Sequence, residues 1–377
     1  MNNAIRSLFP ITEKYTYLNH AAVSPLSTRA RDAMLSIIED VTRNGTVNYS
    51  GWLDTCERTR AAAARLVNAR PHEIAFMQNT SAALSAIANG IDWREGDSVV
   101  TCNVEFPANI YPWMRLAERG VKLRMARERD GRIDTDELLS LVDERTRVVT
   151  ISWVQFASGF RADLRRIGEF CRERGVIFVV DAIQGLGGLK MDVARDSVDA
   201  FAADSHKYLL GPEGVALLYI SDRVIDRIKP TVVGWTSVKN YEQFAHSSLD
   251  YKLDYREGAM RFECGTLNTV GVYGLGAALD LFLEVGPEKI EEYLLGLSDY
   301  IAESLQSKGY EVIGSRREGE TSAIVTCRHS RHAAGSLYHH LLERNIVTAP
   351  RMGRLRISAH FYNTREEVDA LIAALPE

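Results

Sequence analysis

VIFVVDAIQGLGG at residues 176–188 and DAFAADSHKYLLGPEGVALLYI at residues 199–220 decide the fold. The first begins with a short, continuously apolar run, which reads as a strand buried on both faces of a parallel sheet. Asp181 stands at its carboxyl end, where a carboxylate is costly to bury unless a charge meets it. A second strand, centred on Ala200 to Ala203, runs into Ser205-His206-Lys207. Lys207 then sits in a turn ahead of Gly211-Pro212, and a third strand spans residues 215–220.

A carboxylate at one strand end and a lysine at the next suit pyridoxal phosphate. That cofactor needs a lysine amine for its Schiff base. It also needs an acid to keep the pyridine nitrogen protonated, so that the ring draws electrons from a substrate carbanion. Asp181 and Lys207 supply both. The alternative is a buried ion pair that only joins two strands.

A chain of 377 residues exceeds one simple core, and two lobes are expected. The formal net charge of −5 gives no reason to expect nucleic-acid or membrane partners. No apolar run is long enough to span a bilayer. The first residues, MNNAIRSLFPITEKY, lack the apolar centre of a secretion signal, so a cytoplasmic enzyme is expected. The five cysteines, at 56, 102, 171, 264 and 327, are scattered and have no CxxC spacing. That pattern argues against a disulfide framework or a zinc site, and no metal is expected.

Upstream, Leu18-Asn19-His20 enters a turn, and helices follow over about 27–41 and 53–67. Strand 74–77 is followed at once by Asn79-Thr80-Ser81 and a helix closed near Gly90. Such a turn offers free N–H groups and hydroxyls to a phosphate, or is simply a capped helix. Strand 97–102 leads to Phe106, at the end of the sheet where ligands bind. That ring either stacks on a flat cofactor or joins the core. Strands and helices alternate from residue 74 to 220, which predicts an α/β fold with a mostly parallel sheet covered by helices. A smaller α+β domain follows. The expected division is a large domain over 16–255 and a small one from 1–15 with 256–377. Near the end, Arg356 lies on a strand with apolar neighbours, and its guanidinium suits a carboxylate. Arg351 and Arg354 read as surface arginines.

Together these residues resemble the class V aminotransferase group of fold-type I pyridoxal-phosphate enzymes. That group includes cysteine desulfurases, selenocysteine lyases and isopenicillin N epimerase. Asp181-Ala182-Ile183-Gln184 is similar to the group's Asp-x-x-Gln, and Ser205-His206-Lys207 to its lysine motif. Asn79-Thr80-Ser81 is similar to its phosphate cup, and Arg261-Phe262-Glu263-Cys264-Gly265-Thr266 to its dimer-interface motif. The resemblance implies that Lys207 carries the cofactor and shuttles protons, that Asp181 pairs with the pyridine nitrogen, and that Gln184 meets the phenolic oxygen. It implies a phosphate site of Asn79, Thr80, Ser81, Ser205 and His206, with Thr266 reaching in from the second subunit of a homodimer. Arg356 would take the carboxylate of an amino-acid substrate.

Departures bear on the reaction. Desulfurases carry a cysteine on the loop before the terminal arginine, whereas residues 347–354 read VTAPRMGR. Phe106 replaces a histidine. Phe156 stands where the group commonly has an asparagine, with Gln155 the nearest polar substitute. Leu18-Asn19-His20 is closer to the epimerase branch, which places Asn19 and His20 either near substrate or in a structural turn. Transamination or epimerisation at Cα is therefore the first expectation, and β-elimination at a C–S bond the second. A non-catalytic cofactor-binding protein and a dinucleotide fold using Gly185 to Gly188 are the remaining readings, the latter lacking the full glycine fingerprint.

Overall fold

The protein is described here by a computed structural model covering residues 3–241 and 251–377. Its larger sheet has seven strands. In chain order these are β1 (Ile74–Met77), β2 (Ser98–Cys102), β3 (Lys122–Ala126), β4 (Thr146–Ser152), β5 (Ile177–Asp181), β6 (Ala200–Asp204) and β7 (Ala216–Ile220). They lie side by side as β1-β7-β6-β5-β4-β2-β3. All pairs are parallel except those of β7, which runs antiparallel to both β1 and β6.

Alternation along each strand feeds two cores. Phe178, Val180, Phe201, Ala203 and Leu217 face one side, against the helices α2 (Tyr49–Val67), α4 (Leu164–Glu173) and α5 (Thr269–Val285). Val179, Ala200, Ala202 and Leu218 face the other, against α3 (Thr80–Gly90) and Trp113. Helix α1 (Thr28–Asn44) is capped by Ser27, whose side chain accepts from the Ala30 N–H, and it packs on α5. Burial on both faces is why β4 to β7 read as nearly unbroken apolar runs.

The smaller sheet is antiparallel and holds β8 (Glu311–Ile313), β9 (Ile324–Arg328), β10 (Ala349–Arg351) and β11 (Arg354–Ser358), in the order β8-β9-β11-β10. The long helix α6 (Pro287–Ser307) belongs to both lobes. Its Ile290 and Leu294 pack in the core of the large sheet, and its Leu297, Ile301 and Leu305 in that of the small one. Thr16–Tyr17 pairs in parallel with Ile346–Val347, and Leu18 sits in the small-lobe core. On this packing we propose that the lobes divide within α6, and that residues 16–18 join the small lobe, rather than dividing at residues 16 and 256. Among the described residues no single helix is long and apolar enough to cross a membrane.

Candidate active site

Parallel pairing sets Ser152 beside Asp181, and Asp181 beside Ala202. Lys207 follows β6 after a two-residue link, in a turn closed by Leu210 N–H to Lys207 O and Gly211 N–H to Ser205 O. The loop after Asp181 packs tightly on this turn. A Cβ on Gly187, at φ +99, would lie 2.0 Å from the Tyr208 carbonyl oxygen. The Gly185 position is likewise closed by the Trp153 ring, 2.4 Å from where a Cβ would stand. These glycines serve packing between loops, which removes the ground for a dinucleotide fold.

A cavity of about 310 Å³ opens at the carboxyl ends of these strands. Asn79, Thr80, Ser81, Phe106, Asp181, Gln184, His206, Lys207 and Arg356 all line it, beside Asp204, Phe156 and Arg351. Asn79 caps α3 through its side chain, and the Thr80 hydroxyl accepts from the Asp204 N–H at 2.9 Å. His206 Nδ1 lies 3.0 Å from Asp204 Oδ1. Phe106 and Phe156 meet edge to face at 5.3 Å, and Lys207 Nζ lies 5.3 Å from the Phe106 ring centre. Phe106 is 42% exposed, so it is a cavity wall rather than core.

Burial pushes the Asp181 carboxyl up, and the nearby Glu105 carboxylate adds to the effect, while Lys207 opposes it. Burial likewise pushes the Lys207 ammonium down, with Asp181 opposing. Arg356 is buried, and desolvation lowers it to about 10, helped by the like charge of Arg351. Arg356 Nη1 donates to Phe156 O at 3.0 Å and Nη2 approaches Asn19 Oδ1 at 3.5 Å. Asn19 thus stands behind the arginine rather than on the cavity wall.

Four other expected residues lie off the wall. His20 is fully buried, with Nδ1 2.8 Å from Ser358 O and Nε2 2.8 Å from the Tyr362 hydroxyl. A carbonyl only accepts, so Nδ1 carries the proton and Nε2 accepts from Tyr362. Desolvation lowers His20 to about 4, consistent with a neutral ring that holds the turn and does not face substrate. The Ser205 hydroxyl donates to the Pro212 carbonyl and is not open to a phosphate. Gln155 turns inward, its amide donating to Glu105 Oε1 at 2.7 Å, and leaves its place on the wall to Phe156. Thr266 lines two other cavities, one shared with Trp235 and Arg256.

Sequence reasoning missed Arg351 and Glu105. Arg351 was hidden by its surface-like neighbourhood. Glu105 had a signal, an acid beside apolar residues at a strand end. It accepts from Ser152 N at 2.8 Å, Asn109 Nδ2 at 3.0 Å and Gln155, and also from the Ser152 hydroxyl.

Besides Asp204 Oδ1 and His206 Nδ1, which face each other at 3.0 Å, three buried polar atoms of cavity residues have no hydrogen-bond partner: Asp181 Oδ2, Gln184 Oε1 and Arg356 Nε. Such atoms are costly to leave unpaired, and they mark where a bound group meets the protein. The Aminotransferase class-V family profile matches residues 16–371. The chain belongs to the class V aminotransferase family. Class V enzymes of this kind depend on pyridoxal phosphate, and the acid, lysine and helix N-terminus at this cavity fit that group. The chain is 30% identical to a probable cysteine desulfurase of Methanothermobacter thermautotrophicus, over 99% of this chain and 97% of that one. It is also 30% identical to a cysteine desulfurase of Cronobacter sakazakii, over 98% and 96%. A solved structure of the cystine C–S lyase C-DES, in complex with its reaction product cysteine persulfide, superposes with a TM-score of 0.89 at 25% identity, over 97% and 98% of the two chains.

Proposed function

We propose that this class V enzyme is a C–S lyase, cleaving the Cβ–S bond of a cysteine-derived amino acid without a protein thiol as sulfur acceptor. The observation that carries this is the cavity itself, which no cysteine lines. The sulfur-named relatives and the C–S lyase likeness support the same reading, and favour elimination over the transamination or epimerisation expected from the sequence.

When bound, the cofactor supplies an electron sink for negative charge at the substrate Cα. Arg356 holds the α-carboxylate and so fixes which Cα bond faces Lys207. The Lys207 amine takes the Cα proton, and burial favours its neutral form. The Cβ–S bond then breaks with its electron pair leaving on sulfur. Hydrolysis of the remaining enamine consumes one water and gives a keto acid and ammonia. Asp181 would meet the ring nitrogen, Gln184 the phenolic oxygen, and Asn79, Thr80, Ser81 and His206 the phosphate. Phe106 would cover the ring. In this reading Thr266 serves a neighbouring protomer of a two-fold dimer, supported by its place away from its own Lys207. A reducing, cytoplasmic setting is supported by cysteines that are all unpaired.

The test is keto-acid release from a panel of S-substituted cysteines, set against Lys207→Ala. Release by the native protein alone supports the reading. Exchange of amino groups with an added keto acid, without sulfur release, would replace it with transamination.

A further inference from the structure

Arg351 and Arg356 wall the same cavity from adjacent strands. Arg356 pairs across β10–β11 with Ala349, two residues before Arg351. Alternation therefore sets Arg351 on the same sheet face as Arg356, at the diagonal position, where long side chains still share a space. The third arginine of the hairpin, Arg354, is met by Glu128 at 3.5 Å and does not line the cavity. Among the described residues no carboxylate pairs with Arg351 or Arg356. Among the described residues, the one hydrogen bond from the Arg351 side chain is to the carbonyl of its neighbour Pro350, at 2.8 Å. Of the acids on the wall, Asp204 faces His206 Nδ1 at 3.0 Å, and Asp181 feels the charge of Lys207.

One α-carboxylate satisfies one buried guanidinium. Arg351, half-buried on the same wall, then faces the cavity with no acid partner of its own among the described residues. We infer that Arg351 is a specificity residue for a second anionic group, so that the substrate is a cysteine whose sulfur carries an acidic substituent. Disulfide-linked and thioether-linked amino dicarboxylic acids have this form. The sulfur part rests on the C–S lyase reading; the second anion rests on Arg351 alone. In the elimination the acidic substituent leaves on the thiolate, and its carboxylate stays close to Arg351 as the Cβ–S bond lengthens.

The test separates the two parts by using ligands with no C–S bond. Holoenzyme is titrated with 2-aminopimelate and with its ω-amide, following the cofactor absorbance. 2-Aminopimelate has the chain length of S-(2-carboxyethyl)cysteine, and the amide differs only in charge. The acid is expected to bind about tenfold or more tightly than the amide, as for a hydrogen bond to a charged group. In Arg351→Gln the ratio should fall to near one, and Arg351→Lys should restore part of it. Equal binding in the native protein, a ratio that survives in Arg351→Gln, or no binding of either ligand would overturn the assignment. A charge preference lost in Arg351→Gln, together with no keto acid from any S-substituted cysteine, would keep Arg351 and remove the lyase reading.

Discussion

Arg351 and Arg354 are directly opposed in the β10–β11 hairpin, so only Met352 and Gly353 lie between them. Both turn residues have positive φ, +47 and +73. That is the primed turn that suits the twist of a tight hairpin. A two-residue turn has no length to carry a mobile thiol toward Lys207. Of the cysteines elsewhere, four are buried, and Cys264 lines a different cavity. Sulfur release by Cys264→Ala should therefore stay within about twofold of the native rate, because free cysteines of this kind act as packing groups. A loss of tenfold or more in the initial-rate assay would point to a thiol that the geometry does not place.

Lys207 is set to react near neutral pH. Burial lowers its ammonium to about 8, whereas an exposed lysine titrates near pH ~10.4. Only the neutral amine attacks an aldehyde, so the rate of cofactor attachment to apo-protein should climb with pH and level off above about 8. Stopped-flow absorbance from pH 6 to 10 reads this directly. A rate still rising tenfold per unit at pH 9 would contradict it. Borohydride reduction should leave the label on the Lys207 peptide.

Glu105 organises the floor behind Asp181. Its two oxygens accept from Ser152, Asn109 and Gln155, all buried. Glu105→Gln turns one acceptor into a donor facing donors. The expected cost is about 2 kcal/mol of stability, from a buried mismatch, read by urea unfolding of the apo-protein. A change under about 0.5 kcal/mol would mean that the network relaxes around the amide.

Arg60 and Glu263 form a buried pair at 2.6 Å that also ties down β1, since Glu263 accepts from Phe76 N–H at 2.9 Å and Arg60 donates to Ile74 O at 2.8 Å. Arg60→Met removes the closer of two arginines from the buried Glu263 carboxylate, leaving it Arg256 at 3.2 Å and the Phe76 N–H. It should cost about 3 kcal/mol in the same unfolding measurement. It should also loosen the segment carrying Thr266, lowering the stability of the proposed dimer in light scattering at low concentration. An intact midpoint would contradict the first expectation.

The large sheet was legible because β4 to β7 are buried on both faces and so read as apolar runs. Lys207 and Asp181 were legible because charges at the ends of such runs stand out. The antiparallel direction of β7 was not, since an apolar run carries no direction. Strand β10 was hidden by Pro350 and Arg351, residues typical of an edge. The exchange of Gln155 for Phe156 on the wall was hidden too. Strand alternation ends at Ser152, and the turn after it decides which side chain faces Lys207. His20 read equally well as ligand or structural residue until Ser358 and Tyr362 were seen to take both its nitrogens.

The most direct test of elimination without a protein thiol is the carbon product. Sulfur taken by a protein thiolate as the neutral atom leaves its bonding electrons on Cβ, and protonation there gives alanine. Elimination instead carries those electrons away on sulfur and gives pyruvate. Holoenzyme incubated with cystine or cysteine, followed by quantifying both products and protein-bound persulfide, distinguishes the two. Pyruvate equal to the sulfide released from cysteine, or to the cysteine persulfide released from cystine, is the result predicted; alanine equal to the sulfur released, with persulfide on any of the five cysteines, would contradict it.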